Sequence, residues 1–195
     1  ALYSFLGLFG FHDINTFRPK HDATGEIPPD LFVKLPNLTV FHYDGNGIKC
    51  LVPTSSNNVL TELSMKNNRL YGPIPLEIQQ SPTLTILDLS SNRLDGVIDD
   101  MTCVYNSRRE DDQFNSLSLY RNRISGAIAA KYWNQYAIKI LEANSFQCDY
   151  AKSDIPKHDP YYQPVVCGSD ELILALCGMM VLSVFLILLI TITYY

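Results

Sequence analysis

Aligning the chain on five asparagines, Asn46, Asn68, Asn92, Asn122 and Asn144, brings its apolar residues into columns at separations of 22, 24, 30 and 22 residues. Three positions before each asparagine stand Tyr43, Met65, Leu89, Leu119 and Leu141, and two positions after stand Ile48, Leu70, Leu94, Ile124 and Phe146. Five before are Phe41, Leu63, Leu87, Leu117 and the one exception, Lys139; eight before are Leu38, Leu60, Leu84, Phe114 and Tyr136. Repetition at 20–30 residues marks a stack of coils. Apolar side chains two apart share one face of a strand, so each coil holds a short strand facing inward and turns at the asparagine. An amide both donates and accepts, so the asparagines are expected to satisfy backbone groups left open at the strand ends and to form an internal ladder. Gly72, Gly96 and Gly126, four residues after their asparagines, allow a tight bend before Ile74, Ile98 and Ile128. No coil buries its apolar side alone, so stability is shared between neighbours.

The run from Leu60 to Pro75, close to L-x-x-L-x-L-x-x-N-x-L-x-G-x-I-P, resembles the plant-type leucine-rich repeat. GEIPPDLFVKLPNL, Gly25 to Leu38, is similar to the end of one such coil running into the next. The resemblance covers Gly25 to Cys148 and implies an α/β-type solenoid, a leucine-rich repeat coil stack with short parallel β-strands on its concave face. Cys50 fills a glycine slot, Asp99 and Ala129 replace the proline, and Ser145 to Asp149 replaces a glycine turn, which are local departures. In this family a disulfide often closes the end of the stack, so the resemblance implies a Cys148–Cys167 bridge, adding about 3 kcal/mol. Cys50 and Cys103 belong to coils two repeats apart, about 10 Å at strand spacing, and are expected as separate thiols.

The organisation read from the chain is a cap or degenerate repeat at 1–24, repeats at 25–148, a C-terminal cap and juxtamembrane linker at 149–170, and a membrane helix at 171–195. Within the first segment ALYSFLGLFGF is read as a cap, and His21 stands where a ladder asparagine would. Leu172 to Thr193 carries no charge. At about 1.5 Å per residue it reaches about 33 Å, enough to cross a bilayer. Cys177 is a small apolar filler within it. A removable lipid-anchor signal is disfavoured, because Asp170 and Glu171 alone would form its polar spacer. With Tyr194 and Tyr195 ending the sequence, no cytoplasmic domain is expected, and a receptor of this kind lacks a kinase.

Fifteen Lys and Arg against twenty Asp and Glu, a net charge of −5 and no basic cluster, disfavour a nucleic-acid partner. The His-Asp pairs at 12–13, 21–22 and 158–159 fit no catalytic or metal spacing. Asp44-Gly45-Asn46-Gly47 fails as a calcium loop because Ile48 and Ser55 fall where oxygen ligands are needed. The expectation is therefore no enzyme, no metal and no cofactor. What remains is a recognition surface. Residues between the buried strand positions give one column of His42, Ser64, Asp88, Ser118 and Ile140, and another of Asp44, Lys66, Ser90, Tyr120 and Glu142, with Asn67, Ser91 and Arg121 beside them. Tyr120 and Arg121 are the anchor candidates, since those residue types concentrate at binding hot spots. The longer step between Asn92 and Asn122 places DDMTCVYNSRREDD in a protruding loop. Asn37-Leu38-Thr39 is a glycosylation sequon.

Together these features suggest a single-pass membrane protein with extracytosolic repeats, at the plasma membrane or in an organelle lumen, binding a protein or peptide ligand. A structural accessory subunit of a larger complex, docked on integral membrane subunits, is the alternative.

Overall fold

The computed structural model describes residues 15–18, 27–28, 30–54, 59–98, 116–149, 151–165 and 170–194. In chain order these form β1 (Thr16–Phe17), α1 (Leu31–Lys34), β2 (Val40–His42), β3 (Glu62–Ser64), β4 (Tyr71–Gly72), α2 (Leu76–Gln79) and β5 (Ile86–Asp88). Then come β6 (Arg93–Leu94), β7 (Ser116–Ser118), β8 (Ser125–Ala127), a 3-10 turn at Ala130–Tyr132, β9 (Ile138–Lys139), β10 (Ser145–Gln147) and α3 (Asp170–Tyr194).

β1, β2, β3, β5, β7 and β9 make one parallel sheet in that order. Its register sets Phe17, Phe41, Leu63, Leu87, Leu117 and Ile138 side by side. All six are buried. Burying one such side chain contributes about 1.5–3 kcal/mol, and here each gains its cover only from the neighbouring coil. The aromatic members gather at the start: Phe41 stacks on Phe17 at 5.4 Å and on Tyr43 at 5.8 Å, and Phe32 of α1 meets its edge at 5.5 Å. On the opposite side of each coil β4 pairs with β6, β8 with β10, and a bridge joins Val97 to Ser125, all parallel. The glycines sit on this second row. Gly126 has φ +89°, and a Cβ there would come within 2.8 Å of Val97 Cγ1, so both conformation and space call for glycine.

The fifth coil departs from the expected register. β9 pairs Ile138, not Lys139, with buried Leu117, and Lys139 aligns with Ser118 on the sheet face. Ile140, expected on that face, is buried. The coil holds one extra residue between strand and asparagine. The C-terminal cap accommodates it, because Asp159 Oδ2 accepts from the N–H groups of Ile140 at 2.6 Å and Leu141 at 3.0 Å.

Residues 1–14 and 19–26, including the apolar run read as a cap and His21, lie outside the described residues, as do 99–115 with the charged insertion. The described part of the first segment supplies β1. α3 is the one described helix long and apolar enough to cross a membrane, with a candidate span at Ala175–Thr193 and none of it buried.

Candidate functional site

The asparagines knit each coil to the one before it. Oδ1 of Asn68 accepts from Ile48 N, Asn92 from Leu70 N, Asn122 from Leu94 N and Asn144 from Ile124 N, all at 3.0–3.1 Å. The same side chains donate from Nδ2 to the preceding coil, at Tyr43, Met65, Leu89 and Leu119 O, over 2.7–3.0 Å. Each donates as well to its own strand end, at Met65, Leu89, Leu119 and Ile140 O. Only Asn144 reaches four residues back rather than three, which is the fifth coil's extra residue seen from the ladder. Asn46 donates to Asp44 O at 3.0 Å. The rungs are thus side-chain amide to backbone, and at the first of them Asn68 Oδ1 also accepts from the Asn46 N–H at 3.1 Å.

A second ladder escaped the sequence reading. Thr39, Thr61 and Thr85, seven residues before their asparagines, donate Oγ1 to Asn15, Thr39 and Thr61 O at 2.9, 3.0 and 3.1 Å. The threonines immediately following Leu38, Leu60 and Leu84 were a visible signal for it.

On the sheet face these frames position a polar network. His42 Nε2 lies 3.1 Å from Glu62 Oε2, which Arg18 also meets at 3.3 Å. Asp44 Oδ1 accepts from Ser64 Oγ at 2.6 Å and Lys66 N at 3.1 Å, while Lys66 Nζ stands 3.9 Å from both Asp44 and Asp88. Such part-exposed pairs each contribute about 0–1 kcal/mol, so they organise the surface more than they stabilise the coil. Ser90, expected as a contact residue, is only 1% exposed and donates to Asp88 Oδ1 at 2.6 Å. A small side chain beside a carboxylate folds onto it, and Ser90 acts by orienting Asp88. Glu62 and Arg18 were missed, though Glu62 alternates with Leu63 and so shares the face of Ser64.

The residue before each ladder asparagine adopts the left-handed region: Gly45 φ +68°, Asn67 +54°, Ser91 +56°, Arg121 +56° and Ala143 +52°. Asn67 and Arg121, expected as contact residues, are exposed at these turns. Arg121 Nε donates to Glu142 Oε1 at 2.8 Å, and its guanidinium lies 6.0 Å from the Tyr120 ring centre. Beside this pair, a cleft of about 230 Å³ opens between the fifth coil and the C-terminal cap, lined by Leu141 to Asn144, Tyr161, Pro164 and Val165. Burial acts to raise the Glu142 pKa, but the Tyr161 hydroxyl and the Arg121 guanidinium outweigh it and hold the carboxyl below its ordinary value. The same carboxylate pushes the Tyr161 phenol up. Among the described residues, Glu142 Oε2 is the one buried side-chain oxygen with no well-formed hydrogen bond.

Cys148 is buried and disulfide-bonded, and Cys167, its expected partner, lies outside the described residues, as does Cys103. Cys50 and Cys177 are not part of a disulfide. Asn37 of the sequon is exposed.

The leucine-rich repeat family profile matches residues 59–81 and 83–103. No curated protein sequence matches. Among solved structures, the Arabidopsis receptor kinase HAESA, determined with the peptide hormone IDA and the co-receptor SERK1, is 30% identical, with 63% of this chain and 20% of that one covered and a TM-score of 0.51. The ectodomain of the receptor kinase SOBIR1 from Arabidopsis thaliana is 26% identical over 67% of this chain and 68% of that one, with a TM-score of 0.53. A plant ice-binding protein shares the fold at 20% identity and a TM-score of 0.55, over 73% of this chain and 46% of that one. The chain spans about a fifth of the first-matched receptor ectodomains, 19% and 20%. Asparagine-laddered coils, family profile and structural likeness agree: the chain carries leucine-rich repeats stacked as a solenoid, with coils similar to those of plant receptor ectodomains, and one apolar C-terminal helix of membrane-spanning length.

Proposed function

We propose that the chain is a membrane-anchored leucine-rich repeat protein that binds another protein or a peptide through its concave face, receptor-like and without turnover. The observation that carries this reading is the sheet face itself: polar side chains at His42, Asp44, Lys66, Asp88, Tyr120 and Arg121 held on a doubly laddered backbone. A surface fixed in advance loses little entropy when a partner settles on it. The 30% likeness to a receptor solved with a peptide hormone supports the same class of ligand. α3 serves as the anchor. The repeats lie outside the cytosol, a placement that the exposed sequon at Asn37 and a Cys148–Cys167 bridge favour.

Amine-reactive cross-linking of native membranes, read by mass spectrometry, tests this. Lys66 and Lys139 stand on the sheet face, whereas Lys34 and Lys157 stand away from it. Links from Lys66 and Lys139 to a second protein, lost in a Tyr120→Ala, Arg121→Ala double variant, are expected. Links confined to Lys34 and Lys157, in fixed stoichiometry with integral membrane proteins, would overturn it in favour of an accessory subunit.

A further inference from the structure

The cleft between the fifth coil and the C-terminal cap is lined by one ladder residue, Asn144, and otherwise by residues of neither ladder. Its single charged lining group is Glu142, and its walls at Leu141, Ala143, Pro164 and Val165 are apolar. Oε1 of Glu142 is taken by Arg121, but Oε2 is shut off from water with no hydrogen bond of good geometry. An ionised oxygen in that state has lost its hydration and gained only a poorly aligned contact, so a well-placed donor brought to it gains more than one offered to a solvated carboxylate.

We propose that this cleft seats a lysine side chain of the protein partner, its alkyl stem against the apolar walls and its ammonium on Glu142 Oε2. The inference rests on the protein-binding reading above and names one chemical group that such a partner must present. Size supports it: about 230 Å³ falls below the usual range of small-molecule pockets, roughly 300–1,000 Å³, and suits one side chain. The donor geometry selects lysine over arginine. A guanidinium fork is matched to two carboxylate oxygens, and Arg121 already holds one of them, whereas an ammonium is a point donor that one oxygen satisfies. A four-carbon stem ending in a charge also fits a cleft with apolar walls and one polar end. Arg121 pairs with Oε1 at 2.8 Å and offsets part of the carboxylate charge, but Oε2 is left for a second donor.

Tyr161 controls entry. Its hydroxyl interacts with the Glu142 carboxylate, yet Oε2 has no hydrogen bond of good geometry, so Tyr161 covers the oxygen and satisfies it only in part. The ring belongs to the turn at 161–164 and is only partly buried, so it is able to swing aside as the ammonium arrives. Tyr161 is a positioning residue here, and Glu142 is the binding group.

The test uses the full chain, nitrogen-15 labelled in detergent micelles, titrated with Nα-acetyl-lysine methylamide and separately with Nα-acetyl-norleucine methylamide, which keeps the stem and lacks the charge. Saturable shifts of the Ala143, Asn144 and Val165 amides are expected with the lysine probe. Binding should be at least about tenfold weaker for the norleucine probe and for Glu142→Gln, the cost of losing one charge-assisted bond. Tyr161→Phe should bind the lysine probe as well as or better than the parent. Because Glu142→Gln disturbs Arg121 too, Val165→Phe provides a second arm: it fills the cleft, leaves the Ile48 and Leu70 amides unshifted, and should abolish binding. Equal binding of the norleucine probe, undiminished binding by either blocking variant, or no saturable shift would each overturn the proposal. None of these results alters the Lys66 and Lys139 cross-links, so the cleft and the concave-face reading fail separately.

Discussion

Replacing Asn68 by alanine is the sharpest test of how the coils hold together. Its Oδ1 is the acceptor for Asn46 N and Ile48 N, both at 3.1 Å, and its Nδ2 the donor to Tyr43 O at 2.7 Å. Met65 O loses Asn68 as well but keeps Asn92 as a donor. Three groups of the preceding coil therefore lose this side chain, the Asn46 and Ile48 N–H groups and the Tyr43 carbonyl. At about 1–3 kcal/mol for each buried group left unsatisfied, the variant should lose about 4–6 kcal/mol, a large share of the roughly 5–15 kcal/mol of an ordinary domain. Denaturant unfolding of the full chain in detergent, followed by Trp133 fluorescence and far-ultraviolet circular dichroism, measures the total. Amide hydrogen exchange measures the direction, which is the more demanding check. Ile48 should lose protection, whereas Leu70, whose acceptor is Asn92 at 3.0 Å, should keep it relative to the global change. Glu77→Ala, on an exposed turn of α2, should stay within about 0.5 kcal/mol. A cost for Asn68→Ala below about 1 kcal/mol, or equal loss of protection at Ile48 and Leu70, would refute the idea that each asparagine completes the coil before it.

Other substitutions probe the remaining parts. Gly126→Ala must hold φ +89° with its Cβ 2.8 Å from Val97 Cγ1, and should cost about 2–3 kcal/mol in the same unfolding assay. Adding Val97→Ala should recover only the steric share; full recovery would show that the left-handed backbone is not costly there. Thr61→Val keeps the branched shape but drops the bond to Thr39 O, and should lose about 0.5–1.5 kcal/mol, an unchanged midpoint counting against the threonine ladder. Glu142 titrates below its ordinary value of 4.5 in the fold, so its contribution is present above that value and is lost as pH falls through the folded pKa. The stability gap between the parent and Glu142→Gln should accordingly be constant near neutrality and narrow in acid; a gap that widens in acid contradicts the assigned partners. Asp159→Ala strands the N–H groups of Ile140 and Leu141, so exchange should quicken in the fifth coil first and leave Ile48 protected.

The repeating part of this molecule was legible because a coil stack obeys a one-dimensional rule. Position relative to the asparagine decided burial for Leu63, Met65 and Leu70 as it did for Leu87, Leu89 and Leu94. The rule failed where the spacing from strand to asparagine was assumed constant. Counting back from Asn144 set Lys139 inside and Ile140 outside, while the apolar Ile138 one place earlier was the sign of an inserted residue. Ser90 was misjudged for another reason: alternation says which way a Cβ points, not whether a short hydroxyl folds back onto Asp88. Glu62 was readable by that same alternation. Tyr161 was not readable at all, because it lies beyond the last asparagine where no register exists to place it.

That last failure has a physical cause in how the stack is closed. Each coil before the last has its open backbone groups met by the asparagine of its successor, so Asn144 serves Ile124 and Leu119. The fifth coil has no successor of the same kind. A carboxylate from the cap, Asp159, takes up the Ile140 and Leu141 N–H groups instead, and its other oxygen holds Tyr161 N at 2.8 Å. Coil and cap therefore meet with unlike surfaces, whereas two coils meet with like ones. Two like surfaces close over each other along the aligned columns of buried side chains. Unlike ones need close only where the fold requires it, at Asp159, and the cleft beside Glu142 is the part left open. The residues there are free of the repeat's constraints on size and polarity, which is why a half-buried carboxylate with one covered, poorly paired oxygen occurs at this end of the stack and at none of the described coil-to-coil joints.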